Sequence, residues 1–423
     1  MINYEYLRRK KGKVLKDWYD QGLQKRATLN AWSGLNATIL PLKKNNQFLF
    51  GNGGVIDANG KYVQISAIEK RVQGNYPIEK EPIYKDEKVV YCGYLVPHWG
   101  HFLIEAVSRL WYFLQNDSTI DRYVFFIEEN KKREIQGNYK EFFELLGVWN
   151  RIDIINQPTQ YREVIVPELG YKRRAYYSDA YLKIFDQIAE SIQKGEDWVP
   201  ADKIYMSRSQ LNDVDKREFG LDMLDDYFRR NGYEVIFPEK MSLSQMIFLL
   251  RNAKTVAAIS GSLPHNLLFA QNEKPLIIVE RNVLNNEIQV DVDHMKELDV
   301  IYIDANLPVY SINIGYGPFI MYYTDEMRRF TEDNNYVEPD QKYQEERLVK
   351  KYFSKYLKAY KKAYRYQWFL EDWSERYIDY IREGYKDGYK ILAPYLTGMK
   401  PVFWWQNFQP EYIKKKVKAI LRK

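Results

Sequence analysis

The chain has 423 residues, enough for two large domains, and 45% of them are hydrophobic, which excludes a disordered polymer. Its single cysteine, Cys92, excludes an intramolecular disulfide and a cysteine-built metal site, and points to a reducing cytoplasm. The net charge of +6 is uneven: residues 341–423 hold 20 Lys and Arg against 9 Asp and Glu, a net of +11 that leaves −5 on the other 340 residues, so a general nucleic-acid-binding surface is not indicated.

Residues 1–40 read as a basic lead-in with little pattern, and Met1-Ile2-Asn3-Tyr4-Glu5-Tyr6 lacks the apolar core of a signal peptide. No run approaches 18 apolar residues, so no membrane span is expected. Gly51-Asn52-Gly53-Gly54 and Ala58-Asn59-Gly60 are turn signals between short strands. Residues 89–95 predict a strand leading into a helix over 99–115. Strands follow at 123–127, 152–155 and 163–166, with helices at 140–146 and 181–194, the last closed by Gly195. After Trp198-Val199-Pro200 a second alternation begins. Strands are predicted at 203–207, 233–237, 255–259, 274–280 and 300–303, with helices at 221–231 and from Ser242, a good N-cap, to 252. Strands alternating with helices imply parallel sheets built from βαβ units, in two Rossmann-like lobes. The expected divisions are 1–197, 198–335 and a basic, aromatic, helical tail at 336–423. In that tail Tyr352, Tyr356, Tyr360, Tyr364 and Trp368 recur every fourth residue among lysines, and 20 of the last 83 residues are aromatic.

Four constellations could carry chemistry. On a helical wheel Trp99, Leu103, Ala106, Val107, Leu110 and Leu114 fill one broad face. His101, Glu105, Ser108 and Tyr112 fall in a narrow opposite stripe with Arg109 at its edge, and His98 stands just before the helix. The stripe is either a cleft wall, where a carboxylate or imidazole serves as general base, or a solvated His–Glu pair one turn apart. Ser260-Gly261-Ser262-Leu263-Pro264-His265-Asn266 follows a predicted strand. There backbone N–H groups can approach an anion, with His265 and Asn266 near a phosphate or sugar hydroxyl; the alternative is an ordinary turn. Arg208 at a strand end suits a diphosphate, with Lys216-Arg217 adding charge, unless it is simply a surface arginine. Glu280, ending a strong buried strand, can accept from ribose hydroxyls or be a solvated terminus. Asp291-Val292-Asp293-His294 has the form of a metal-binding DxD, which a two-lobed Rossmann architecture does not call for.

Together, residues 98–105 with Ser108-Arg109-Leu110-Trp111, then Ile204-Tyr205-Met206-Ser207-Arg208, then Gly261 to Ala270, resemble the family 61 glycosyltransferases, in particular the bacterial capsular polysaccharide biosynthesis branch. The likeness covers roughly 85–285. It implies a GT-B fold with two Rossmann-like lobes, a nucleotide-sugar donor on the C-terminal lobe, no obligatory metal or other cofactor, and inversion at the anomeric carbon. The family's GHF-x-x-E/D motif falls on Gly100, His101, Phe102 and Glu105, its strand-end arginine on Arg208, and its turn on Gly261, Ser262, His265 and Asn266. Members commonly carry Arg-x-x-Asn-Glu; aligned from Arg217, Gly220 and Leu221 stand here for Asn and Glu.

The implied enzyme is an inverting hexosyl- or pentosyltransferase acting on a capsular or exopolysaccharide, or on a lipid-linked glycan. Gly261, Ser262, Arg208, His265 and Asn266 would bind the donor and Glu280 its ribose. His98 and Arg109 would lie on the acceptor side, with Glu105 preferred as base and His101 orienting substrate. The alternatives are a non-catalytic glycan- or nucleotide-binding protein and a phosphosugar transferase. The tail suits an anionic membrane surface at the inner face of the plasma membrane, or packing on the lobes or on a second copy of the chain.

Overall fold

The computed structural model describes residues 2–44, 51–68, 71–309, 315 and 317–363; the expected tail features from 364 onward lie outside them. Two sheets dominate. The first has the order Gly51–Ile56, Thr38–Lys44, Thr159–Pro167, Ile83–Tyr94, Arg122–Phe126, Ile152–Ile155, with Ala31–Leu35 also paired to Thr159–Pro167. Its last four strands pair in parallel, whereas the pairs involving Ala31–Leu35, Thr38–Lys44 and Gly51–Ile56 are antiparallel. The first sheet is therefore mixed and not the purely parallel sheet expected. The short link between Thr38–Lys44 and Gly51–Ile56 cannot hold the crossover that parallel neighbours need.

The second sheet is parallel throughout, in the order Ile2–Tyr6, Asp299–Asp304, Pro275–Glu280, Thr255–Ile259, Lys203–Met206, Glu234–Ile236. Thr255–Ile259 and Pro275–Glu280 are almost wholly buried, as near-continuous apolar runs covered on both faces should be. After its first strand, Ile2–Tyr6, the sheet resumes in chain order at Lys203–Met206, steps outward to Glu234–Ile236, then reverses to Thr255–Ile259 on the other side. The gap beyond the carboxyl ends of Lys203–Met206 and Thr255–Ile259 is thus a topological switch point, where open α/β sheets bind ligands. In the first sheet the chain likewise leaves Ile83–Tyr94 first to Arg122–Phe126 on one side and later to Thr159–Pro167 on the other.

Two findings depart from expectation. The lead-in is ordered, and it belongs with the second sheet. Ile2–Tyr6 pairs with Asp299–Asp304, and helix Arg9–Asp20 buries Lys11, Gly12 and Leu15. A basic segment conceals this role because its buried ends are cations. Lys11 Nζ donates to Asp304 Oδ1 at 2.7 Å, to Glu280 Oε2 at 3.1 Å and to the Asn282 carbonyl at 2.7 Å. The second departure is in the helix expected over 99–115. It is α-helical only at Trp99–Ile104, breaks at Glu105, and continues as a 3₁₀ helix over Ala106–Gln115. Three residues per turn advance each side chain by more than the α wheel assumes, which swings Ser108 and Arg109 into the core.

Helix Glu346–Ala363 packs on the short strand pair Glu218–Phe219 and Phe319–Ile320. Tyr352, Phe353 and Tyr356 are buried, and Tyr352 Oη donates to Asp222 Oδ1 at 3.0 Å. Within the described residues, then, Tyr352 and Tyr356 of the aromatic stripe face protein. Among those residues no helix is long and apolar enough to cross a membrane.

Candidate active site

The chain leaves Ile83–Tyr94 through Leu95 to Pro97, passes His98 in extended conformation, and enters Trp99–Ile104. His101 Nδ1 lies 2.8 Å from Glu105 Oε1, and Arg71 Nε donates to Glu105 Oε2. The carboxylate is thus clamped between an imidazole and a guanidinium. Its burial pushes the Glu105 carboxyl up, but the His101 hydrogen bond and charge, with the Arg71 cation, overcome this and hold it at about 2. Such a group stays ionised and is a poor proton acceptor. It serves better to orient His101, because an Nδ1 proton shared with a carboxylate leaves Nε2 as the basic nitrogen.

His98 lies 5.2 Å from His101, ring centroid to centroid. Surrounding protein, and after it the neighbouring His101 and the arginines Arg208, Arg281 and Arg71, lower its imidazole to about 4. Arg208 and Arg281 stand just beyond strands of the second sheet, so charged residues from both sheets come near His98.

The opposite wall is the turn after Thr255–Ile259. Trp99 Nε1 donates to Asn266 Oδ1 at 2.8 Å across the junction. A Cβ on Gly100 would stand 2.8 Å from Ser262 Cβ and 3.0 Å from His265 Cδ2, so only glycine lets helix and turn approach this closely. Gly100→Ala is expected to lower turnover by roughly 10- to 100-fold through sub-ångström to ångström displacement of the walls, measured as kcat beside a melting curve. Near-normal turnover would mean the walls need not meet for function.

His265 is buried, with Nδ1 at 2.8 Å from Gln289 Oε1, and Gln289 Nε2 donates to Asp293 Oδ1 at 2.8 Å. Burial lowers the His265 imidazole to about 4, Gln289 opposes this, and His101 and His98 reinforce it. The folded state therefore binds that proton less readily than the unfolded chain. Its contribution to stability is present above pH 6.5 and is lost as pH falls from about 6.5 toward 4. The melting temperature should fall through that window, and His265→Gln should flatten the fall. An unchanged slope in the variant would remove His265 from the cause.

Arg208 sits just past Lys203–Met206. Its Nε and Nη2 donate to Glu218 at 3.3 and 3.2 Å. Ser207 and Ser209 fix this strand end by donating to the two oxygens of Asp225, each at 2.6 Å. Gly220, standing where the family's Asn is expected, has φ +86°, and a Cβ there would lie 2.4 Å from the Met321 carbonyl oxygen. The backbone at this position accepts glycine alone.

Not every expected residue reaches the cleft. Arg109 is 1% exposed and donates to the carbonyls of Pro167, Ile65 and Ala67, so it ties loops together and does not face an acceptor. Glu280 is also 1% exposed and is paired with Lys11, which leaves it neither a solvated terminus nor a ribose ligand at the surface. Asp291 accepts from Tyr171 Oη and from Arg174, and Asp293 from Tyr302 Oη and Gln289. Both carboxylates of the DxD are thus used inside the fold. Arg71, Glu218 and Arg281 join the site unforeseen. Arg281 alone had a positional signal, as the first residue beyond a buried strand.

This α/β protein thus brings an imidazole–carboxylate pair, on a helix packed against the glycine turn, near a pair of arginines. Residues 99–277, which hold all of these groups except His98, Arg71 and Arg281, match the family model described as Glycosyltransferase 61, and the match supports a glycosyltransferase. No curated protein matches the chain.

Proposed function

We propose that the protein transfers a sugar, with inversion and without an obligatory metal, from a nucleoside-diphosphate sugar to a hydroxyl of a cell-surface polysaccharide or lipid-linked glycan. The observation that carries this reading is the meeting of His101–Glu105–Arg71 with the Gly261–Ser262 turn and Arg208 across one cleft. In this reading the two sheets are the lobes of a GT-B arrangement, divided near residue 198, with residues 2–20 given over to the second lobe. The acceptor oxygen forms the new bond to the anomeric carbon while its proton passes to His101 Nε2. The electron pair of the breaking carbon–oxygen bond leaves with the diphosphate, whose charge Arg208 and the turn N–H groups offset. Glu105 is the orienting carboxylate, which exchanges the roles first assigned to it and His101. Ser262, His265 and Asn266 shape the donor wall, and His98 lies between donor and acceptor.

Thermal-shift measurements with nucleoside diphosphates and their sugars test the reading, with raised melting temperature expected for at least one. No shift with any of them, together with no transfer in product analysis, would favour a glycan-binding protein on the same scaffold. Transfer of phosphosugar, seen as phosphorus in the product, would replace the sugar-transfer step. The reading also sets the enzyme in the cytoplasm, touching an anionic inner-leaflet surface through the basic tail. Because Tyr352 to Tyr356 are part of the packed body, flotation with liposomes should compare the full chain with a truncation after Ala363. Equal flotation of both would remove the residues beyond 363 from membrane binding.

A further inference from the structure

Arg281 is the first residue past Pro275–Glu280, beside the switch point. Its backbone N–H donates to Ser260 Oγ at 3.1 Å, and its Nη1 donates to Glu218 Oε1 at 2.7 Å. The same Glu218 oxygen accepts from Arg208 Nη2 at 3.2 Å, so one carboxylate bridges two guanidiniums that come from different strand ends. The Glu218 side chain is fully buried, and those of Arg208 and Arg281 are 11% and 4% exposed. A Cβ on Gly261 would lie 3.0 Å from Arg281 Nη2, which sets this guanidinium directly against the turn that faces Gly100. Two cations share the Glu218 carboxylate in a nearly dry place, where Arg281 Nη2 also donates to the Gly315 carbonyl at 3.4 Å and Glu280 is the next carboxylate to act on it. An excess buried charge of this kind is costly unless a further anion completes the site.

We propose that Arg281 is a second diphosphate-binding residue, paired with Arg208 so that each guanidinium meets one phosphate, and that Glu218 is the positioning residue that holds the two apart. The inference rests on the nucleoside-diphosphate reading above and adds to it a residue outside the matched segment. Gly261 has φ +135°, a backbone that favours glycine, and a Cβ there would also crowd the Arg281 guanidinium. Glu218 takes no part in the reaction; it keeps two like charges adjacent before the ligand arrives.

Calorimetric titration of the full-length chain with inorganic pyrophosphate, and with a panel of nucleoside diphosphates, tests this. Arg281→Gln and Arg208→Gln are each expected to weaken binding by roughly 10- to 100-fold, the range for a lost hydrogen bond to a charged group. Arg281→Lys should recover part of that loss and serves as the reading if Arg281→Gln does not fold. Glu218→Gln separates positioning from simple charge. It makes the site more positive, yet binding should weaken because the arginines lose their register; tighter binding would overturn the role given to Glu218. If Arg208→Gln weakens binding while both Arg281 variants bind as the parent does, the inference fails and the donor reading stands. If the parent chain binds neither pyrophosphate nor any nucleoside diphosphate, both fail.

Discussion

His101→Ala is expected to lower sugar transfer by about 10²- to 10⁴-fold, the usual worth of a positioned proton acceptor, with the fold intact. The ring is about one-third exposed and sits at a cleft edge, so its removal opens no core cavity. Glu105→Gln should cost less than His101→Ala. The amide can still accept from Nδ1, but it loses the charge that favours the imidazolium formed as the acceptor proton arrives. Glu105→Ala should approach His101→Ala, because the orienting bond and the Arg71 partner are both lost. Initial rates with donor in excess, read beside circular dichroism, decide the matter. Full activity of His101→Ala would sink its assignment as base. A Glu105→Gln defect larger than that of His101→Ala would return the base role to the carboxylate.

Lys11→Met should destabilise the protein by about 3–5 kcal/mol, the cost of removing one partner from a buried ion pair. The side chain is 1% exposed, and the carboxylates it serves, Glu280 and Asp304, are exposed by 2% and 0%. The Asp304 carboxyl is buried, which raises it, but Lys11 and Arg8 bring it below the ordinary range; without Lys11 the two acids repel across a dry gap. Urea unfolding at neutral pH measures the loss. Adding Glu280→Gln to Lys11→Met should restore part of it by removing one stranded charge. A double variant no more stable than Lys11→Met would show that the helix, not its charge, is what matters.

Much of the second sheet was legible in the sequence, since residues 255–259 and 275–280 are apolar runs bounded by turn residues, and parallel strands covered on both faces look like that. The glycine turn and Arg208 were visible as strand-end features, and so was the proximity of His101 to Glu105, one helical turn apart. Three kinds of fact were not. Arg109 and Ser108 were misplaced because the helix tightens to 3₁₀ after Ile104, and no local propensity announces that change. Lys11 gave no sign that it would meet Glu280 and Asp304, nearly the whole described chain away. The charge state of Glu105 rests first on His101, which was visible, and then on Arg71, which comes from a loop with no motif. Pairings between distant residues set the chemistry of each group, whereas the sequence reports spacing along one element at a time.

The strand Ile2–Tyr6 has a consequence for how the protein comes into being. Its partner, Asp299–Asp304, leaves the ribosome almost three hundred residues later. Ile2–Tyr6 must wait for that partner while the strands of the first sheet are made after it, and only then close the far edge of the second. Pairing across such a sequence interval is slow, because the long loop must be closed before any contact rewards it. A cut near residue 198 would therefore not yield two self-sufficient pieces. The carboxyl-terminal fragment would show a bare sheet edge and two acids without their lysine, and it should aggregate unless residues 2–20 are supplied in trans or rejoined after Asp304.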